Sequence, residues 1–510
     1  MTMSNASETG ETGAPGKRSA RERIQGFRKL AREQNQNSMM QHPVTVAICE
    51  GRASRDLLKA LVLNLYTFAL ESNAAAVGIK QWNRRQMLLG APELNFVVVT
   101  EKVIDELTNP GPSGHMRMLE ILWRTLGGTR EELLLSSPST EVRVYSDHHV
   151  RSTLDEGRSS FDEEQFGHWS ALIYQALVKH YDFTPEQAIY FKEHGEADTM
   201  EHRDGITSHG EMENLAVIRR FEQDPSLKDE EIERNIKRKF LLNRMLLDGV
   251  ARDEKRVRDL APRPRPADPA ERVAALTAAV SDKFKQEIFS GEFMRLLERG
   301  ALGGETIATF AGSLYYFTKM VAYSTGTMYH YKKGLLRSVP ELQDITTGII
   351  AGVTECWLPN SAPSRRPIEN LLEKLGVDPK QLPDQPPLVL ARALVDYRVR
   401  IISEASLPEA LALWINEEDW AEWFARVGAA LTSHYGVDRE SASWLFGHGK
   451  PFRRVLNVTV GEMARTGLRI ALERRIPDST PGWGLEYAAE TQVAILDLFL
   501  QSATRGEASV

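Results

Sequence analysis

"FDEEQFGHWSALIYQALVKHYDFTPEQAIYFKEHG" occupies residues 161–195, and "INEEDWAEWFARVGAALTSHYGVDRESASWLFGHG" occupies 415–449. The two stretches align without a gap at a constant offset of 254. Glu163–Glu164 meet Glu417–Glu418, Trp169 meets Trp423, His180–Tyr181 meet His434–Tyr435, and His194–Gly195 meet His448–Gly449. Apolar residues recur every three or four positions in "SALIYQALVKHY", as an amphipathic helix requires. "VIDELTNP" (103–110) and "VTECWLPN" (353–360) give a weaker match upstream. A period of about 250 residues is too long for a solenoid repeat, so the expectation is a duplicated helical domain.

Outward from this pair the chain reads as helix for most of its length. "RDLLKALVLNLYTFALESNAAAVGI" (55–79) carries the same spacing. "EVRVYSD" (141–147) is the best strand candidate, with apolar and polar residues alternating. "LKDEEIERNIKRKFLLNRMLLDGVARDEKRVRDL" (227–260) reads as a long charged helix, acids early and bases late, as the helix dipole favours. "APRPRPADPAER" (261–272) holds four prolines and reads as a semi-rigid linker. The expected architecture is all-α: a disordered segment over 1–18, a first helical domain over 19–258, a linker over 259–272, and a second domain over 273–505.

Composition narrows the function classes. With 42% hydrophobic and 26% charged residues over 510 positions, the chain has the make-up of a soluble globular protein of more than one core. A net charge of −7 argues against a dedicated nucleic-acid binder. Two cysteines, Cys49 and Cys356, exclude a disulfide framework or a thiolate zinc site. The N-terminus lacks the apolar core of a secretory signal, and no run reaches the roughly 18 apolar residues of a spanning helix. The expectation is a cytoplasmic protein without nucleic-acid or membrane partners.

The two copies are unequal. "HGEADTMEH" (194–202) becomes "HGKPFRRVL" (448–456), so that Asp198 falls on Phe452 and His202 on Leu456. His194, Asp198 and His202 are spaced by four and lie along one helix face. Apolar replacements at those places suggest that the face points into the bundle, where His and Asp are expensive unless paired or ligating. Upstream, Glu106, His115 and either Glu163 or Glu164 could join them. Three imidazoles and three carboxylates on facing helices suit Fe(II) or Mn(II).

The order Glu, His, Glu, then HisxxxAspxxxHis on an all-helical domain resembles the haem-oxygenase-like dimetal oxidases, relatives of the TenA and PqqC proteins. The resemblance covers the first half; the second shares the fold signal without the ligands. It implies two tandem haem-oxygenase-like bundles, the C-terminal one a degenerate copy. It also implies a non-haem diiron centre, with Glu106, His115 and His194 on one iron and Glu163, Asp198 and His202 on the other. Two Fe(II) ions would reduce O2 as co-substrate, and an external electron donor is compatible with that chemistry. The implied reaction is oxidation of a small amine or amino-acid-derived substrate, with N-oxygenation in specialised biosynthesis favoured. Desaturation or C–C cleavage of an amino acid or fatty acid is the alternative outcome of the same centre.

Simpler roles are weighed for the remaining residues. His148 and His149 sit in a polar stretch and read as surface. Trp169, Trp423, Tyr66 and Phe68 read as core, and the basic positions of the first helix (Arg21, Arg23, Arg28, Lys29) as a solvated face. The degenerate copy is expected to cover apolar surface of the first or to mediate a homodimer. From other classes, a metal-free scaffold and a metal-free enzyme of TenA type stay open, the latter needing a nucleophile such as Cys49.

Overall fold

Ser19 opens the described chain as a helix cap. Its hydroxyl accepts from the Glu22 N–H while the Glu22 carboxylate accepts from the Ser19 N–H, closing a capping box. The structure, a computed structural model, describes residues 19–77, 114–155, 161–198, 228–258, 265–355, 368–378, 387–448, 458–480 and 483–505, with scattered positions in 208–221, Lys380, and residues 453–454.

In the first half α1 (Ala20–Asn35) runs through a π turn into α2 (Pro43–Cys49) and α3 (Arg55–Val77). Then come α4 (Gly114–Thr125), α5 (Arg130–Leu135), α6 (Thr140–Asp155), α7 (Glu163–His180), α8 (Ile189–Ala197) and α9 (Asp229–Arg256). The second half opens with α10 (Pro269–Phe284), a further π turn, α11 (Glu292–Glu298), α12 (Gly304–Ser338), α13 (Pro340–Glu355) and α14 (Glu369–Lys374). It continues with α15 (Val389–Glu404), α16 (Leu407–Ala412), α17 (Glu417–His434) and α18 (Ser443–His448). A short antiparallel pair, β1 (Arg453–Arg454) and β2 (Val458–Thr459), then leads into α19 (Val460–Glu473) and α20 (Leu485–Arg505). The described chain is predominantly α-helical, and among the described residues no helix is long and apolar enough to cross a membrane.

Local devices recur in the two halves. Gly51 adopts φ +72° after α2, and a Cβ there would meet the His180 ring at 3.1 Å. Gly300 adopts φ +66° after α11, and a Cβ would meet His434 at 2.9 Å. Only glycine combines that left-handed backbone with so close an approach. Two residues past each glycine, a backbone N–H is tied to a tyrosine hydroxyl: Ala53 donates to Tyr181 Oη at 2.9 Å, and Leu302 to Tyr435 Oη at 3.1 Å. The N–H before each of α6 and α15 is likewise held, by Asn64 Oδ1 at 3.2 Å and by Ser313 Oγ at 3.0 Å.

Two expectations are corrected. "EVRVYSD" is not a strand but the first half of α6. Its alternation misleads because the helix is buried on every side: α3 and α9 pack on it from one half, α15 and α20 from the other. Glu141, Arg143, Ser146 and Asp147 are therefore as buried as Val142 and Val144. The linker expected over 259–272 is shorter, since α10 starts at Pro269, capped by Asp268 accepting from the Glu271 N–H at 2.9 Å. Asp as cap and Pro at the first helical position form a start signal.

One hydrophobic core runs through both halves, and charges are buried where α6 meets α15. Asp147, fully buried, accepts from Arg400 Nη1 at 2.8 Å and lies 3.5 Å from Arg143 Nη1. Arg143 stacks 3.8 Å over the Trp483 ring. On the other helix Asp396 lies 3.5 Å from Arg392 and 3.9 Å from His148. His148 and His149, expected at the surface, are buried here: Asp396 and Arg392 of the second half, with Arg238 and Lys239 of the first, surround one, and the first half encloses the other. Removing one partner of such a pair strands the remaining charge away from water.

Asp147→Ala is expected to lower stability by about 3 kcal/mol in urea denaturation, because Arg143 and Arg400 lose their shared anion. An unchanged midpoint would contradict the reading. Burial, then the field of Arg392, Arg238 and Lys239, holds His148 well below the usual imidazole range. The unfolded chain therefore takes up that proton first, and stability is expected to fall as pH drops below roughly 6.5. His148→Gln should flatten this dependence between pH 7.5 and 5.5, and an identical slope in the variant would refute it.

Candidate functional site

α7 and α8 fold back on each other because Gly195 lets them approach: a Cβ there would sit 3.2 Å from Ala171. This places Glu163, the first residue of α7, beside His194 on α8, and His115 at the start of α4 joins them. The three line one cavity of about 40 Å³, room for an ion and a few waters but not for a large ligand. His115 is 6% exposed. Its ring centroid lies 4.4 Å from that of His194, and Tyr190 and Phe166 pack against His194 at 4.3 and 5.3 Å.

His194 Nδ1 donates to the Tyr190 carbonyl at 2.9 Å. A carbonyl can only accept, so in the neutral ring the proton sits on Nδ1 and the lone pair on Nε2. That is how metal-ligating imidazoles are commonly oriented. Asp198, 2% exposed, closes the C-terminal end of α8 with its N–H on the His194 carbonyl at 3.2 Å. Its burial agrees with an inward-facing row. Glu106 and His202 lie outside the described residues, as do Phe452 and Leu456, the counterparts of Asp198 and His202 in the second half.

Of Glu163 and Glu164, Glu163 lines the cavity. Glu164 points to α1, where Arg28 Nε and Nη2 clasp its two oxygens at 3.0 Å each, with His168 at 3.8 Å. His168 and Arg28 hold its carboxyl down to about 2 against the penalty of burial. The expected solvated face of the first helix is thereby corrected in part, since Arg23 is also paired, with Asp229.

A second polar group completes the cavity, and the sequence reading missed it. Lys239 of α9 lies 3.0 Å from Asp162 Oδ2, donates to Tyr145 Oη at 3.0 Å, and reaches His149 Nδ1 at 3.3 Å. An ammonium has only donors, so His149 Nδ1 accepts and its proton sits on Nε2. Phe68 packs 4.9 Å from the Tyr145 ring and also lines the cavity, so it is a wall residue as well as core. The signal for Lys239 was its phase: Ile232, Ile236, Lys239 and Asn243 share one buried stripe. Tyr66, Trp169 and Trp423 are core as expected.

As a metal site the donor set fits in chemistry: nitrogen and oxygen donors, one imidazole already oriented, and a cavity of ionic size. Among the described residues no group of three His, Cys, Asp or Glu is placed to hold a metal ion. Each expected triad has one member outside the described residues, so neither could show three. Cys49 is half-buried, and burial followed by Glu50 pushes its thiol up, the opposite of an activated nucleophile. Neither a family model nor a curated protein matches the chain.

Arg28→Gln is expected to raise the pH of acid unfolding. The depressed Glu164 contributes stability above about 4.5 that is lost as pH falls towards 2, and the variant forfeits much of it. An unchanged acid midpoint by circular dichroism would count against this pairing.

Proposed function

We propose that the first half is a non-haem diiron oxidase that uses O2 to oxidise a small amine or amino-acid-derived substrate. The observation that carries the reading is the meeting of His115, Glu163 and His194, from three separate helices, in one small cavity. Glu106, His115 and His194 would hold one iron, and Glu163, Asp198 and His202 the other. When bound, the pair supplies two-electron reduction of O2. A reducing, cytoplasmic setting would keep it ferrous, with an external donor restoring it.

The chain's own residues have definite parts in this account. The Tyr190 carbonyl fixes the His194 ring so that Nε2 faces a metal. Lys239 neutralises Asp162 and donates to Tyr145, leaving the tyrosine proton for a different acceptor. Phe68 and Phe166 exclude water from the imidazoles. N-oxygenation is the favoured outcome, with desaturation or C–C cleavage as the alternative of the same centre.

We read the second half as a degenerate copy of the same haem-oxygenase-like bundle. Support comes from the paired glycines, Gly51 and Gly300, the paired tyrosine clasps, and His448, whose Nδ1 donates to the Trp444 carbonyl at 3.0 Å. Its part is to bury α6, and no homodimer is needed for that.

One observation favours a second reading. Lys239 stands behind Tyr145 and His149, which line the polar cavity, an arrangement that also suits metal-free acid–base chemistry or binding. Elemental analysis of the full chain, produced with iron under reducing conditions, separates the two. About two irons per chain are expected, falling by at least half in Glu163→Ala and in His194→Ala and unchanged in Glu164→Ala. Iron-free protein, or iron indifferent to Glu163 and His194, would establish the metal-free reading instead.

A further inference from the structure

The second half holds a cavity of its own, of about 80 Å³, and its walls are of another kind. Phe317, Trp414, Trp420 and Phe424 enclose it, and Arg398 of α15 reaches its lining. Arg398 is 2% exposed. Its Nη1 donates to Gln492 Oε1 at 2.6 Å, and Gln492 is itself fixed by donating Nε2 to the Leu413 carbonyl at 3.2 Å. The guanidinium carbon stands 4.2 Å over the Trp414 ring. Burial pulls Arg398 down to about 9, which leaves it charged at neutral pH.

Three buried donors in this lining have no partner among the described residues: Arg398 Nε, Arg398 Nη2 and Trp414 Nε1. The other two fully buried arginines among the described residues, Arg143 and Arg400, have an anion, since they share Asp147. No carboxylate of the described chain pairs with Arg398. Glu417 also lines the cavity, but its Oε2 is taken by the Gly461 N–H at 2.7 Å. A buried cation of this kind is costly unless an anion meets it. Nε and Nη2 form the side of the guanidinium whose parallel N–H bonds match the two oxygens of a carboxylate. Arg28 uses the same two atoms on Glu164 within this chain.

We propose that this second cavity binds a small monocarboxylate with an apolar body. The carboxylate lies on Arg398 Nε and Nη2, and the hydrocarbon lies between the tryptophan and phenylalanine walls. The orphaned donors select for the anion, and the aromatic walls reject a second charge on the ligand. The volume favours a body of a few carbons over a long chain.

Butyrate is the probe, titrated calorimetrically into the full-length protein, with 1-butanol and butylammonium as size-matched controls. Saturable butyrate binding is expected, at least tenfold tighter than either control. It should survive in His194→Ala, which separates this cavity from the polar one, and weaken at least tenfold in Arg398→Gln. The ligand comparison on the unaltered protein stands even where the arginine variant does not fold. Absence of saturable butyrate binding, equal binding of 1-butanol, loss of binding in His194→Ala, or full binding by folded Arg398→Gln would each overturn the proposal.

Discussion

A buried aspartate fixes how the two halves meet. Asp147 sits fully buried between Arg143 of its own helix and Arg400 of the opposing one, and the cationic face of Arg143 is closed by Trp483. Such a group tolerates one geometry only, because any slip leaves an uncompensated charge in a low-dielectric interior. It therefore sets the position of α6. Tyr145 and His149, two residues either side of Asp147 and so on the other face of α6, line the first cavity, so the polar site inherits its dimensions from a contact with the other half. A single-domain description of the site would leave out what holds one of its walls.

The two cavities show how one kind of frame can carry different chemistry. Each includes a histidine whose Nδ1 is bonded to the carbonyl four residues earlier, and a glutamate from the first turn of the neighbouring helix. Around His194 the polar lining also includes His115, Asp162, Tyr145 and His149, a set that can bind cations or move protons. Around His448 the lining is mostly aromatic and aliphatic, with one arginine. The difference lies in a few side chains on a shared geometry: His149 and Arg398 each stand two residues beyond the buried aspartates of α6 and α15, Asp147 and Asp396, with the ring of His148 turned to the interface.

Much of this was legible in the sequence. The α7–α8 pair, the central Trp169 and the inward burial of Asp198 follow from apolar spacing and from comparing the halves, while His115 enters only as an upstream candidate and through the family resemblance. The failures share a physical cause. α6 is buried all round, so the amphipathic period that marks a helix is erased and a run of Val and polar residues mimics a strand. His148 and His149 read as surface because polar types usually are, and Lys239 goes unnoticed in a charged helix, whereas tertiary pairing with Asp396, Asp162 and Tyr145 keeps all three inside. That Glu164 is engaged by Arg28 is a contact across more than a hundred residues, which no local pattern carries.

The account stands or falls on where metal sits. Crystals of iron-loaded full-length protein, measured at the iron absorption edge, locate iron directly by anomalous scattering. Two adjacent peaks enclosed by α4, α7 and α8, one within bonding distance of His194 Nε2 and the other of Glu163, are the predicted result. Iron bound elsewhere, or a first cavity without an anomalous peak in iron-loaded crystals, would contradict it.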